Sequence, residues 1–123
     1  MPKSLSVLVV EDERIISISI CRMIEKLGHR VCACVPSGEE ALDVLKTEQP
    51  DLAFLDIHLE GSLSGIDVGE RMRRDDGAPF VYASAYSDRE TMEKAKRTEP
   101  YAFLSKPLGI NSIKQVCDAI AAD

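Results

Sequence analysis

Residues 52–59 run Leu52-Ala53-Phe54-Leu55-Asp56-Ile57-His58-Leu59, four apolar residues followed at once by a carboxylate. A short run without polar alternation describes a strand buried on both faces, as in a parallel sheet covered by helices. An aspartate directly behind such a strand stands where open α/β sheets bind their ligands, just outside the carboxyl end. The same pattern recurs on either side. Residues 6–10 (SVLVV) are a second continuous aliphatic run. From 13 to 27, Ile16, Ile20, Met23, Ile24 and Leu27 recur at threes and fours, one face of a helix, and Gly28 stops it.

Farther along, residues 31–35 form a short strand, and Ser37-Gly38-Glu39-Glu40 is a capping box opening a helix that turns Ala41, Leu42 and Leu45 inward. A Gly- and Ser-bearing loop follows Asp56 and leads to a helix over 66–74. Residues 79–83 are a fourth strand. Ser87-Asp88-Arg89-Glu90 is a second capping box, opening a polar helix that runs to about Thr98. Residues 101–104 are a fifth strand, and 110–121 a closing helix with Ile113, Val116, Cys117 and Ile120 inward. The expected fold is therefore α/β: a (βα)5 doubly wound parallel five-stranded sheet of order 2-1-3-4-5, one domain over 1–123 with its core at about 5–121.

The bulk properties exclude several classes. A chain of 123 residues is long enough for one core and too short for two. The net charge of −6 lacks the basic footprint that nucleic acid requires, and disfavours an anionic membrane surface. No apolar run approaches the ~20 residues of a membrane span. The first residues, MPKSLSVLVVEDE, turn acidic too soon for a signal peptide. Cys21, Cys32, Cys34 and Cys117 stand at no metal-ligand spacing. Cys32 and Cys34 alternate along a strand, so they are expected on one face as small hydrophobes of a reduced compartment, the cytoplasm.

The polar residues fall at strand ends. The first strand ends in Glu11-Asp12, the third in Asp56, the fourth in Ser84 and the fifth in Ser105-Lys106. In the order 2-1-3-4-5 these four strands are neighbours, so their ends gather three carboxylates, a hydroxyl and an ammonium. Taken alone, Glu11-Asp12 is a helix N-terminal charge worth ~0.3–1 kcal/mol. Lys106 alone is a surface lysine and Ser84 alone a turn residue. Together they describe a site. Three close carboxylates raise one another's pKa unless a cation joins them, and an all-oxygen, partly open set suits Mg²⁺. Asp56 is then a candidate nucleophile toward phosphorus, with Mg²⁺ and Lys106 neutralising phosphoryl oxygens.

The segments VLVVEDE, LAFLDIHL, VYASAYSD and YAFLSKPL, in this order, resemble the receiver domain of two-component response regulators (CheY-like), over about residues 5–121. The resemblance implies Glu11 and Asp12 as the acidic pair, Asp56 as phosphoacceptor, Ser84 as the hydroxyl switch and Phe103 as the switch aromatic. It also implies Lys106 as the family's lysine, whose bond to the following proline, Pro107, is typically cis, and the backbone carbonyl of His58 as a further Mg²⁺ ligand. The implied activity is acceptance of a phosphoryl group from a histidine kinase or phosphotransfer protein. The implied output is a change in the face of the fourth helix, fifth strand and fifth helix, where a homodimer or partner forms.

Three features depart from the family pattern. The loop HLEGSLSG is about one residue longer than many and lacks a proline. His58 and Tyr86, each two residues past Asp56 and Ser84, are bulky and bear on the lifetime of the acyl phosphate, Tyr86 as a shield against water. Two other readings stand beside the main one. An aspartyl-phosphate phosphatase would carry Asp-x-Asp after its first strand, whereas here position 58 is His. A phosphorylation-independent interaction module of the same fold would usually lack the acceptor, lysine or acidic pair, all present here. The charged fourth helix (Arg89, Glu90, Glu93, Lys94, Arg97) is a solvated face or a contact surface.

Overall fold

The computed structural model describes residues 3–85 and 88–122. Strand and helix alternate five times: β1 Ser6–Val10, α1 Arg14–Lys26, β2 Arg30–Val35, α2 Gly38–Thr47, β3 Leu52–Asp56, α3 Gly65–Arg74, β4 Phe80–Ser84, α4 Arg89–Arg97, β5 Ala102–Ser105 and α5 Ile110–Ala121. All strand pairings are parallel and the order is β2-β1-β3-β4-β5, the expected flavodoxin-like arrangement.

β3 is buried in every residue because both its faces are covered. On one face Val7, Val9, Phe54 and Val81 meet Ile20 and Ile24 of α1 and Ile113, Val116 and Cys117 of α5. On the other, Leu8, Val10, Ala53, Leu55 and Tyr82 meet Ala41 of α2, Val68 and Met72 of α3, and Ala95 of α4. The register brings the strands to a common edge: Val10 pairs with Leu55, Asp56 with Ala83, and Ser84 with Ser105. No helix among the described residues is long and apolar enough to cross a membrane.

The structure corrects the sequence reading in local detail. Ser37 accepts from the Glu40 N–H, but the Glu40 carboxylate takes the Ser37 hydroxyl rather than the Ser37 N–H, so only half a capping box forms. The reciprocal box lies at α3, between Ser64 and Asp67. For α4 the N-cap is Asp88, whose carboxylate accepts from Thr91 N–H at 2.7 Å and also complements the helix dipole. Ser87 lies outside the described residues.

In β2 the pairing with β1 slips by one residue. Val7 pairs with Val31 but Leu8 pairs with Ala33, so Cys32 is the extra residue of a bulge. Cys32 packs toward the cluster under α2 and α3, whereas Cys34 meets Ser17 of α1. Alternation alone would have put both thiols on one face. The bulge divides them.

Gly65 opens α3 against the end of β3. Its N–H donates to the Ile57 carbonyl at 3.0 Å, and a Cβ there would stand 1.9 Å from the Asp56 carbonyl oxygen. A backbone atom cannot give way as a side chain can. Gly65→Ala is therefore expected to cost about 1–3 kcal/mol in urea unfolding; an unchanged midpoint would contradict this packing. Tyr82 supplies a pH test. It is fully buried, its hydroxyl lies 2.6 Å from Thr98 Oγ1, and burial pushes its phenol from 10.0 up to about 12. Because folding favours the protonated phenol, this stabilisation is complete below about pH 10 and is lost as pH rises through about 12. Stability measured over that window falls, and it falls less steeply in Tyr82→Phe.

Candidate functional site

The common edge of β1, β3, β4 and β5 is where the charged residues lie. Glu11 follows β1 and is held by its N–H on the Val35 carbonyl at 3.0 Å. It is 3% exposed, and its Oε2 accepts from the Glu13 N–H at 3.1 Å at the start of α1. Asp56, 6% exposed, ends β3. Its Oδ1 accepts from the His58 N–H at 3.2 Å and its Oδ2 from Lys106 Nζ at 3.0 Å. Lys106 follows β5, with its backbone N–H on the Ser84 carbonyl at 3.0 Å and its peptide bond to Pro107 cis. Asp12 completes the group: Glu11, Asp12 and Asp56 each offer an oxygen within 4.8 Å of the others.

Lys106 Nζ also stands 2.7 Å from Glu11 Oε1. That separation is an ion contact off the hydrogen-bond direction, since this buried oxygen has no aligned donor. Burial lowers the affinity of the Lys106 ammonium for its proton, but the Glu11 and Asp56 carboxylates together outweigh it and raise the pKa above the ordinary value. Lys106 is thus a fixed positive charge. One ammonium among three carboxylates leaves a negative balance in a poorly hydrated place, which is costly unless a further cation enters. The donor set fits one: an all-oxygen group, with one buried carboxylate oxygen still unaligned to any donor, suits Mg²⁺.

The other residues singled out in the sequence fall as follows. Ser84 is half-buried at the end of β4, beside Ser105 in register. Phe103 is half-buried on β5, its ring 5.7 Å from that of Tyr82 and inclined by 40°. His58 is exposed, and its backbone N–H donates to Asp56 Oδ1. Tyr86 lies outside the described residues. On α4, Arg89 pairs with Glu93 and Lys94 with Glu90, so these charges are answered along the helix itself.

One set of residues escaped the sequence reading. The long loop after Asp56 is stitched to the start of α2: Ser37 bridges Glu60, and Glu39 Oε2 accepts from Ser62 N–H at 3.3 Å and Ser62 Oγ at 2.9 Å. Bonds from its own N–H and from Ser62 hold the Glu39 carboxyl below its usual range. Gly61 makes the required turn with φ +95° and was the one visible signal of it. In the sequence Glu39 stands only as part of the segment that opens α2.

The family model described as "Response regulator receiver domain" matches residues 7–118. The transcriptional regulatory protein PdtaR of Mycobacterium tuberculosis is 29% identical over 107 residues, which are 87% of this chain and 52% of PdtaR. Sporulation initiation phosphotransferase F of Bacillus subtilis is 28% identical over 109 residues, 88% of this chain and 86% of that protein. The signal receiver domain of a modulated diguanylate cyclase from Desulfovibrio desulfuricans superposes with a TM-score of 0.90 at 30% identity, covering 97% of this chain and 94% of that one. Against several relatives the chain spans only about half the length or less, 52% of PdtaR and 36% of AfsQ1 from Streptomyces coelicolor.

The charge arrangement has a measurable consequence. Lys106→Met removes the ammonium that faces Glu11 and Asp56, whose side chains are 2% and 7% exposed. Without added divalent cation this variant is expected to lose about 3–5 kcal/mol of stability. Adding Glu11→Gln to it recovers part of the loss, with a coupling of about 0.5–3 kcal/mol in the double-mutant cycle. Strict additivity of the two changes would show that the ammonium and Glu11 do not interact.

Proposed function

The chain belongs to the response regulator receiver domain family of two-component systems, and from that premise we propose that it is a phosphoacceptor switch acting through Asp56. The observation that carries the proposal is the setting of that carboxylate, with Lys106 on one oxygen, a backbone N–H on the other, and Glu11 and Asp12 beside it. The donor is the phosphohistidine of a histidine kinase or phosphotransfer protein. An Asp56 oxygen attacks phosphorus, the P–N bond breaks, and the imidazole nitrogen keeps the bonding pair.

The residues divide the work. Glu11, Asp12, Asp56 and the His58 backbone carbonyl hold Mg²⁺, which when bound supplies positive charge against the phosphoryl oxygens. Lys106 exchanges its contact with Asp56 Oδ2 for one with a phosphoryl oxygen. Ser84 donates its hydroxyl to the phosphate, and Phe103 turns inward behind it. Tyr86, with His58, restricts the approach of water and lengthens the life of the acyl phosphate. The altered face of α4, β5 and α5 is read by a partner or a second copy, in the cytoplasm.

The test is direct. Incubation with acetyl phosphate and Mg²⁺ is expected to add one phosphoryl group per chain in the intact mass. Asp56→Asn abolishes the addition, and Asp12→Asn or chelation of Mg²⁺ slows it at least tenfold, equivalent to about 1.4 kcal/mol. A wild-type chain that stays unlabelled would sink the proposal in favour of the phosphorylation-independent module. Sustained release of phosphate from a generic ester would favour the phosphatase.

A further inference from the structure

Packing does not account for Cys34. It is exposed on the edge strand β2 and belongs to neither apolar cluster, whereas Cys21 packs at the margin of the cluster under α1. The Cys34 sulfur meets Ser17 Oγ, and Cys34 interacts electrostatically with the Cys21 thiol. Ser17 and Cys21 lie four residues apart on α1, about 6 Å along its axis, so they approach Cys34 from adjacent turns of one face. The bulge in β2 makes this possible by sending Cys32 to the other side of the sheet.

We propose that Cys21 and Cys34 form a redox-sensitive thiol pair that a peroxide closes into a disulfide, tying α1 to the edge strand. Cys34, being exposed, reacts first: its thiolate sulfur bonds to a peroxide oxygen as the O–O bond breaks, leaving a sulfenic acid and, after protonation, water. The Cys21 sulfur then attacks the Cys34 sulfur. The S–S bond forms, the S–O bond breaks, and the departing hydroxide takes the Cys21 thiol proton to leave as a second water. Two thiols lose two electrons in all, and hydrogen peroxide is reduced to two waters. Burial first, then the contact with Cys34 and the nearby Glu25, push the Cys21 thiol up to about 12, so it stays protonated and leaves the reaction with peroxide to Cys34. Cys117 is buried in the core and takes no part. The pair works independently of phosphorylation at Asp56.

The experiment treats the full chain with excess hydrogen peroxide, alkylates the remaining thiols and maps peptides without reduction. The expected result is loss of two of the four thiols, a link between the Cys21 and Cys34 peptides, and full recovery with dithiothreitol. The link persists in Cys32→Ser and is lost in Cys34→Ser. Over-oxidation of Cys34 with Cys21 still alkylated would overturn the proposal. So would a link that needs Cys32, or one that joins two chains.

Discussion

A single ammonium placed among three carboxylates is the constraint around which the end of this sheet is organised. Lys106 reaches both Glu11 and Asp56 because β1 and β3 finish side by side and β5 finishes in register with β4. Removed from that position, the acids would repel one another across a nearly dry space. With it, three carboxylates still face one ammonium and retain a buried oxygen without an aligned donor. Such a site is poor as a stabilising element and good as a receptor for cations. The core under both faces of the sheet must supply the stability that the site does not.

The backbone shows how tightly that placement is enforced. Glu11 is bonded through its N–H to β2, Lys106 through its N–H to β4, and Gly65 presses on the carbonyl of Asp56 itself. These are backbone restraints, so the charged side chains need not position themselves against one another. The loop beyond Asp56 is restrained differently, by Glu39 and Ser37 at the start of α2. These contacts fix the excursion to the start of α2 at Glu60 and Ser62.

Most of the fold was legible because its signals are local. Continuous apolar runs marked the buried strands, and threes and fours marked the helices, down to Ile20 and Ile24 facing the sheet. The site residues were legible for a topological reason: a residue directly after a parallel strand has nowhere to go but the common edge. What could not be read depends on non-local contact. The bulge at Cys32 is a mismatch between two strands, invisible in either one. The pairing of Cys34 with Cys21 follows from it. The role of Glu39 requires a loop over twenty residues away, and the choice between Ser64 and Ile66 as the edge of α3 rests on a reciprocal bond rather than on periodicity.

In the proposed switch, a charge change at Asp56 must meet a part of the structure that can yield. Tyr82 cannot: its ring is sealed, packed edge-on against Phe80 at 5.5 Å, and its hydroxyl is fixed to Thr98 at the end of α4. Thr98 in turn bonds the Ala95 carbonyl at 2.7 Å, so this column from sheet to helix is stiff. Phe103 differs, being half-buried and in contact with Tyr82 only at a tilt. Displacement of Lys106 toward a phosphate draws on the same short strand that carries Phe103, three residues earlier. The compliant element thus sits between the charge and the stiff column. In the proposed switch, Phe103 is therefore the aromatic with room to change position behind Ser84, while Tyr82 holds its place.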